Sequence, residues 1–235
     1  MSGPGGSDPG SGPSPAGGRE PSPNGGTEQT PDIVDVLRAD HDLILRQLRD
    51  LIGHPHERPE DRLRVNERTQ ELIIGCSQHE AIEEQHFWPL VGDELPDGEA
   101  LVTQGLEQEQ AGKWVLHHLH HRVPENPDWD DLLLEAADAI RRHIDFEQEM
   151  VWPSLIAHVD LADRQDAARR AVRARRLAPT RPHPGSPATP GAQASTGKLT
   201  GIADRLADAA TGRGRRFTDD ERTVTEERMS PDPPV

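Results

Sequence analysis

Cysteine and large aromatic residues are scarce in this 235-residue sequence. Cys76 is the one cysteine, which excludes an intrachain disulfide and a four-cysteine zinc site. There are four tryptophans, three phenylalanines and no tyrosine, and the hydrophobic fraction is 32%. Ordinary globular chains have roughly 45–50%, although that range also counts glycine. The composition therefore predicts one folded domain of modest size together with segments that lack a core.

Glycine and proline are concentrated near the two ends of the chain. They make up 16 of the first 31 residues, and they recur without a period after residue 178. The region between has dense charge and little of either residue. We therefore predict four regions: a disordered tail over residues 1–30, a folded domain over 31–160, an Ala/Arg-rich helical extension over 161–178 and a mostly disordered tail over 179–235.

Long apolar runs and excess positive charge are also missing. No run reaches the roughly 18 apolar residues of a membrane span, and the start MSGPGGSDPG lacks the basic and apolar regions of a secretory signal. Residues 31–160 contain 29 acidic and 11 basic side chains, which disfavours nucleic-acid binding. The Arg-rich stretch from Arg164 to Arg176 is the exception, and we interpret it as a solvated helix end. We expect a cytoplasmic protein with neither a membrane nor a nucleic acid as partner.

Four amphipathic segments follow one another in the central region. Apolar residues recur with helical spacing, and no segment shows the period of two that is typical of a strand. The predicted helices cover about residues 30–53, 60–91, 99–121 and 127–158, the last of which either ends there or continues to residue 177. Helices of this length joined by short loops favour an all-α, up-down-up-down four-helix bundle.

A repeated motif, H-x3-E-x4-W-P, lies on the second and the fourth predicted helix. It covers His79 to Pro89 in the first copy and His143 to Pro153 in the second. The spacing of four places each histidine and its glutamate one turn apart on the same face, and in both helices that face is the apolar one. His41 falls on the apolar face of the first helix. The pattern therefore directs three histidines and two glutamates into the core.

Buried carboxylates that converge need protons, cationic side chains or a metal, because desolvation and mutual repulsion are both costly. The predicted inner faces offer no lysine or arginine, so a metal is the economical partner. Histidine with carboxylate suits iron, zinc or manganese, and in a helical bundle it suits a pair of ions bridged by carboxylates. The predicted metal ligands are His41, His79, Glu83, His143 and Glu147.

These residues resemble the hemerythrin-like family, whose members carry the HHE cation-binding domain. The likeness rests on Asp40-His41-Asp42, on His79-x3-Glu83 with Pro89, and on His143-x3-Glu147 with Pro153. The resemblance implies non-heme iron, most simply two ions, with the histidines as terminal ligands and the two glutamates as bridges. It also implies that the ligand is a small oxidant, namely dioxygen, nitric oxide or peroxide.

The third predicted helix departs from the pattern of the family. Members commonly have Glu-His there, whereas this sequence has Glu109-Gln110. We place Gln110 on the inward face, with Trp114 lining the pocket, so the ion next to His143 loses one imidazole, and Glu80 is a candidate to replace it. Since no separate general base is apparent, binding or sensing is preferred. The alternatives are a peroxide-decomposing di-iron enzyme and a metal-depleted scaffold that acts through protein partners on its tails.

Overall fold

The computed structural model describes residues 30–54, 56–185, 203–205 and 207–208. All of its helices lie in the unit that begins at Pro31, and the described residues form no strand. The predicted all-α class is therefore confirmed. Residues 1–29, and the second tail apart from 179–185, 203–205 and 207–208, lie outside the described residues. The helices are α1 (Ile33–Gly53), α2 (Pro59–Ile82), α3 (Trp88–Glu94), α4 (Gly98–His120), α5 (Trp129–Phe146), α6 (Trp152–His158) and α7 (Leu161–Arg175), and π-helical turns occupy Glu83–Phe87 and Glu147–Val151.

The α1 helix begins with a capping box at Asp32. The Asp32 side chain accepts hydrogen bonds from the backbone of Val34 and Asp35 at 2.9 and 3.2 Å. The Asp35 carboxylate accepts in return from the Asp32 backbone N–H at 3.0 Å. These bonds satisfy donors that the first turn would otherwise leave free, and so fix where α1 starts.

Both motif copies contain a π-helical turn between the glutamate and the Trp-Pro pair. The backbone N–H of Trp88 donates to the backbone carbonyl of Glu83, and the backbone N–H of Trp152 donates to that of Glu147. The acceptor lies five residues before the donor in each case. A proline cannot donate to the carbonyl four residues earlier, and its ring crowds that carbonyl, so the preceding turn widens. The second predicted helix is therefore interrupted rather than regular over 60–91.

Two apolar clusters lie on either side of a polar layer. Along α1, Leu37 belongs to one cluster and Ile44 to the other, with His41 between them. Along α2 and the π-helical turn that follows it, Cys76 and Phe87 belong to different clusters in the same way, with His79 and Glu83 between them. Each cluster buries apolar side chains from several helices, which supplies the main stabilisation. The predicted ligands thus occupy the centre of the packed helices.

The helices pack in pairs, α1 against α2 and α4 against α5, and further contacts join α2 with α4 and α1 with α5. Of the two alternatives for the fourth predicted helix, the end near residue 158 is correct and the continuation to residue 177 is wrong. The α6 helix ends at His158, Asp160 is extended, and α7 starts anew and packs on α1 and α2. No helix among the described residues is long and apolar enough to cross a membrane.

The α7 helix shows that the Arg-rich stretch is not simply solvated. Arg164 is buried and donates to the Asp32 carboxylate at 2.8 Å and to the Val159 carbonyl at 2.6 Å. Arg169 and Arg170 instead pair with Asp166 on the exposed side. The charge pattern alone could not separate the inward from the outward arginines, because the partner of Arg164 is 132 residues away in the sequence.

Candidate metal centre

The five predicted ligands meet in the polar layer, and all five are buried. Four residues each offer one ligand atom, and these four atoms all lie within 4.8 Å of one another. The residues are His41, His79, Glu83 and Glu147. A second, overlapping group with the same property joins Glu83 and His143 to Glu109 of α4. Side chains of α1, α2, α4, α5 and the two π-helical turns therefore converge on one place.

Each of the two carboxylates faces histidines on two sides. Glu83 places Oε1 at 3.0 Å from Nε2 of His79 and Oε2 at 3.7 Å from Nε2 of His143. Glu147 places Oε2 at 3.3 Å from Nε2 of His41 and Oε1 at 3.4 Å from Nε2 of His143. The Nε2 atoms of His41 and His79 are 3.1 Å apart. One oxygen of each carboxylate therefore points to the His41–His79 pair and the other to His143.

The charge state of the cluster favours a bound cation. Burial raises the pKa of Glu83, and the neighbouring Glu147 raises it further. Burial lowers the pKa values of His41 and His143 to about 4, so both rings are neutral at pH 7 and offer lone pairs. Within the described residues, the oxygens of Glu83 and Glu147 and the ring nitrogens of His143 have no hydrogen-bond partner. Buried carboxylate oxygens and imidazole nitrogens without hydrogen-bond partners are suitable ligands for a divalent transition metal.

The prediction for α4 is wrong by one position. Glu109 is 2% exposed and faces the cluster, whereas Gln110 is half-buried and donates to the Pro184 carbonyl at 2.6 Å. Trp114 is 49% exposed and does not line the pocket. The reason is that glycines form part of the inward face: a Cβ on Gly105 would lie 2.4 Å from the Trp88 ring. Hydrophobic periodicity cannot detect a face built from residues without side chains.

A buried lysine lies beside Glu109, contrary to the expectation that the inner faces carry no basic residue. Lys113 pairs with Glu84 and lies 3.5 Å from Oε2 of Glu109. Oε1 of Glu109 accepts a short hydrogen bond from Trp88 Nε1. Lys113 has no contact of this kind with Glu83 or Glu147 among the described residues, so the two central carboxylates still lack a cationic side chain.

A small cavity of about 20 Å³ adjoins the cluster. The residues that line it include His79, His143 and Glu80, together with apolar residues such as Ile44 and Ile140. Burial raises the pKa of Glu80 to about 8, although Lys113 acts in the opposite direction. A volume of this size holds one water molecule or a ligand of similar size.

A comparison of the sequence with models of known protein families identifies the family that fits this site. The family model for the hemerythrin HHE cation-binding domain matches residues 32–155. The chain belongs to this family. The match contains all five predicted ligands and Glu109, which confirms the predicted family. No curated protein and no solved structure shows a significant match to the chain.

In this HHE domain, the Nδ1 atoms of the three predicted histidine ligands have different neighbours. Nδ1 of His79 lies 3.4 Å from Oδ2 of Asp40, and Nδ1 of His41 lies 3.1 Å from the side-chain amide nitrogen of Gln148. When Nε2 of His41 binds a metal, Nδ1 carries the proton, and the Gln148 amide must then turn its oxygen to Nδ1 as the acceptor. The His41 ring also stacks on Trp152, with centroids 5.0 Å apart and planes 9° from parallel. Neither ring nitrogen of His143 has a hydrogen-bond partner among the described residues, although the His143 ring lies 6.3 Å from that of Trp88, centroid to centroid. Contacts behind a metal ligand orient its ring and raise its affinity for the metal.

Proposed function

We propose that the HHE domain binds two iron ions and uses them to bind or sense a small oxidant. The observation that carries this proposal is the orientation of Glu83 and Glu147, each of which presents one oxygen to the His41–His79 pair and one to His143. A single ion would use only one side of these carboxylates. Two ions would use both oxygens of each, which is the usual role of bridging carboxylates in helical bundles.

The ligands divide into two sets around the shared carboxylates. His41 and His79 would hold one ion, and His143 with Glu109 would hold the other. This assignment gives the second ion an oxygen ligand from α4 in place of the imidazole that the family commonly has there. Iron is preferred to zinc or manganese because of the family, since the donor types suit all three. The helix pairs also support the up-down-up-down order of a four-helix bundle.

The cavity supports a ligand of one or two heavy atoms. Ferrous iron, when bound, supplies an open coordination position and electrons for dioxygen, nitric oxide or peroxide. The chain's own contribution is the wall, which includes Ile44, Ile140 and Ile144, around a volume of about 20 Å³ that is small for an organic substrate. Binding or sensing is therefore favoured over conversion of an organic substrate.

Peroxide decomposition is the second candidate, because a carboxyl group lines the same cavity. Oε2 of Glu80 has no hydrogen-bond partner among the described residues, and the side chain is buried. At that place it can hold a proton next to a peroxide. An enzyme of this kind releases oxygen from peroxide, and the release stops in His143→Ala. The absence of oxygen release from iron-loaded protein would leave binding or sensing.

Elemental analysis after anaerobic ferrous loading tests the proposal. We expect two irons per chain after loose metal has been removed. One iron per chain would contradict the two-ion site. No bound metal of any kind, with a melting temperature unchanged by chelation, would instead favour the scaffold acting through protein partners on its tails.

Chelation gives an independent measure of the same site. Ions that bind only the folded state stabilise it by about 2.7 kcal/mol per site when their free concentration is a hundred times Kd. The melting temperature should therefore fall on chelation and recover when iron is added back.

We propose a cytoplasmic location for this protein, which fits its single cysteine.

A further inference from the structure

The Asp40 carboxylate connects His79 to a helix outside the family match. Nδ1 of His79 lies 3.4 Å from Oδ2 of Asp40. On the other side, Arg175 of α7 donates Nη1 to Oδ1 over 2.6 Å and Nη2 to Oδ2 in a shorter bond. The family match ends at residue 155, before α7 begins. The arrangement is a fork of two parallel bonds, the geometry in which a guanidinium holds a carboxylate most firmly.

Arg175 is the cationic partner of Asp40 in a largely buried place, where the Asp40 side chain is 11% exposed and that of Arg175 is 19% exposed. The carboxylate of this ion pair lies between the guanidinium and the His79 ring. An ionised carboxylate only accepts hydrogen bonds, so the proton of His79 stays on Nδ1. The lone pair of Nε2 then points to the ligand cluster, where Oε1 of Glu83 lies 3.0 Å away.

The α7 helix is fastened near both ends, so its arginine is held in place. Near its start, Arg164 forms the buried ion pair with Asp32. At its end, Arg205 donates to the backbone carbonyls of Arg175 and Ala178 at 2.9 and 3.3 Å. A chain of polar contacts therefore leads from Arg205, through Arg175 and Asp40, to a predicted metal ligand.

We propose that Arg175 and Asp40 are positioning residues, through which α7 fixes the orientation of His79 and sets the affinity of the cation site at His41 and His79. The inference rests on the proposed function for the identity of His79 as a ligand. It adds that an element beyond the HHE match is part of the metal centre. The other two histidines show the contrast, because His41 has an amide neighbour and His143 has no hydrogen-bond partner among the described residues.

Cobalt(II) titration of the full chain against a competing chelator tests the inference. Arg175→Gln and Asp40→Asn should weaken the first cation about 10–100-fold, the usual cost of losing a contact behind a ligand, and leave the number of sites unchanged. Arg175→Lys keeps the charge but loses the fork, so it should fall between wild type and Arg175→Gln. Arg173→Gln is the matched control, because Arg173 is an exposed arginine of the same helix.

The tautomer of His79 in metal-free protein separates this inference from the proposed function. Ring nitrogen chemical shifts should show the proton on Nδ1 in wild type and in Arg173→Gln, and a shift of population towards Nε2–H in Arg175→Gln. If wild type bound neither cobalt nor iron, the proposed function would be wrong, and so would the predicted effect on metal affinity. The tautomer of His79 would still show whether Arg175 and Asp40 fix the orientation of that ring. Wild-type affinity and wild-type tautomer in folded Arg175→Gln or Arg175→Lys would overturn the inference itself.

Discussion

The two copies of H-x3-E-x4-W-P have the same local structure and different surroundings. In both copies, the glutamate is the first residue of a π-helical turn, and the backbone N–H of the tryptophan donates to the backbone carbonyl of that glutamate. Behind the histidines the copies differ, because His79 has Asp40 at Nδ1, whereas His143 has no hydrogen-bond partner among the described residues. A short motif thus fixes where a side chain points, and residues from other helices decide how firmly it is held.

The same difference extends to the two proposed cation positions. The position at His41 and His79 has polar contacts behind both rings. The position at His143 relies on Glu109, which is already bonded to Trp88 and lies near Lys113. A cation there must compete with a buried ammonium for the carboxylate. We therefore expect the first position to bind more tightly than the second.

The largest effect should come from a residue that the two positions share. Glu83→Gln removes a carboxylate from both, so iron content should fall from two to near zero. Without metal, the variant should melt no lower than wild type, because a buried carboxylate that repels Glu147 has been removed. Elemental analysis and thermal unfolding measure the two effects. The control is Glu67→Gln, an exposed glutamate of α2, and equal iron content in both variants would argue against a shared ligand.

Removal of one histidine should separate the positions. His143→Ala should retain one iron, bound with nearly the wild-type affinity of the first position. His79→Ala should lose the tighter iron. Stepwise titration with ferrous ion distinguishes these results, and His158→Ala, at an exposed histidine of α6, should keep both. If His143→Ala lost both ions, the two positions would not be separable.

A moderate effect is expected at α4. Glu109→Gln should weaken the second iron about 10–100-fold and leave the first unchanged, because a neutral amide is a poor ligand for iron. Gln110→Ala and Glu107→Gln should bind both ions within about twofold of wild type, since these side chains do not face the cluster. Weaker binding in Gln110→Ala than in Glu109→Gln would reverse the assignment of the inward residue.

The smallest effect should be found behind His41. Gln148→Ala removes the amide at Nδ1 but leaves the ring stacked on Trp152. We expect the affinity of the first position to fall about threefold to tenfold, less than in Asp40→Asn, because a neutral contact orients a ring less strongly than a carboxylate. Side-by-side cobalt(II) titrations would show the order. A larger loss in Gln148→Ala would mean that His41, rather than His79, is the better supported ligand.

Most of the candidate metal centre could be predicted from the sequence because its histidines and glutamates repeat at helical spacing. Two residues four apart lie on one face of any helix, and a face that also carries Leu72 and Cys76 must turn inward. The five predicted ligands therefore meet as expected. The α4 helix could not be predicted in the same way, since Gly105 and Gly112 contribute no hydrophobic signal to the face that packs most closely.

The sequence by itself determined the approximate extent of the central helices, the apolar faces of the first, second and fourth predicted helices, and the inward direction of five side chains, because these follow from local periodicity. The five are His41, His79, Glu83, His143 and Glu147. The tertiary structure alone decided that Glu109 and Lys113 face inward and that Arg175 reaches Asp40. These contacts join residues far apart in the chain, or depend on how closely two helices approach. Their energies arise from burial and pairing, which exist only after the helices have packed.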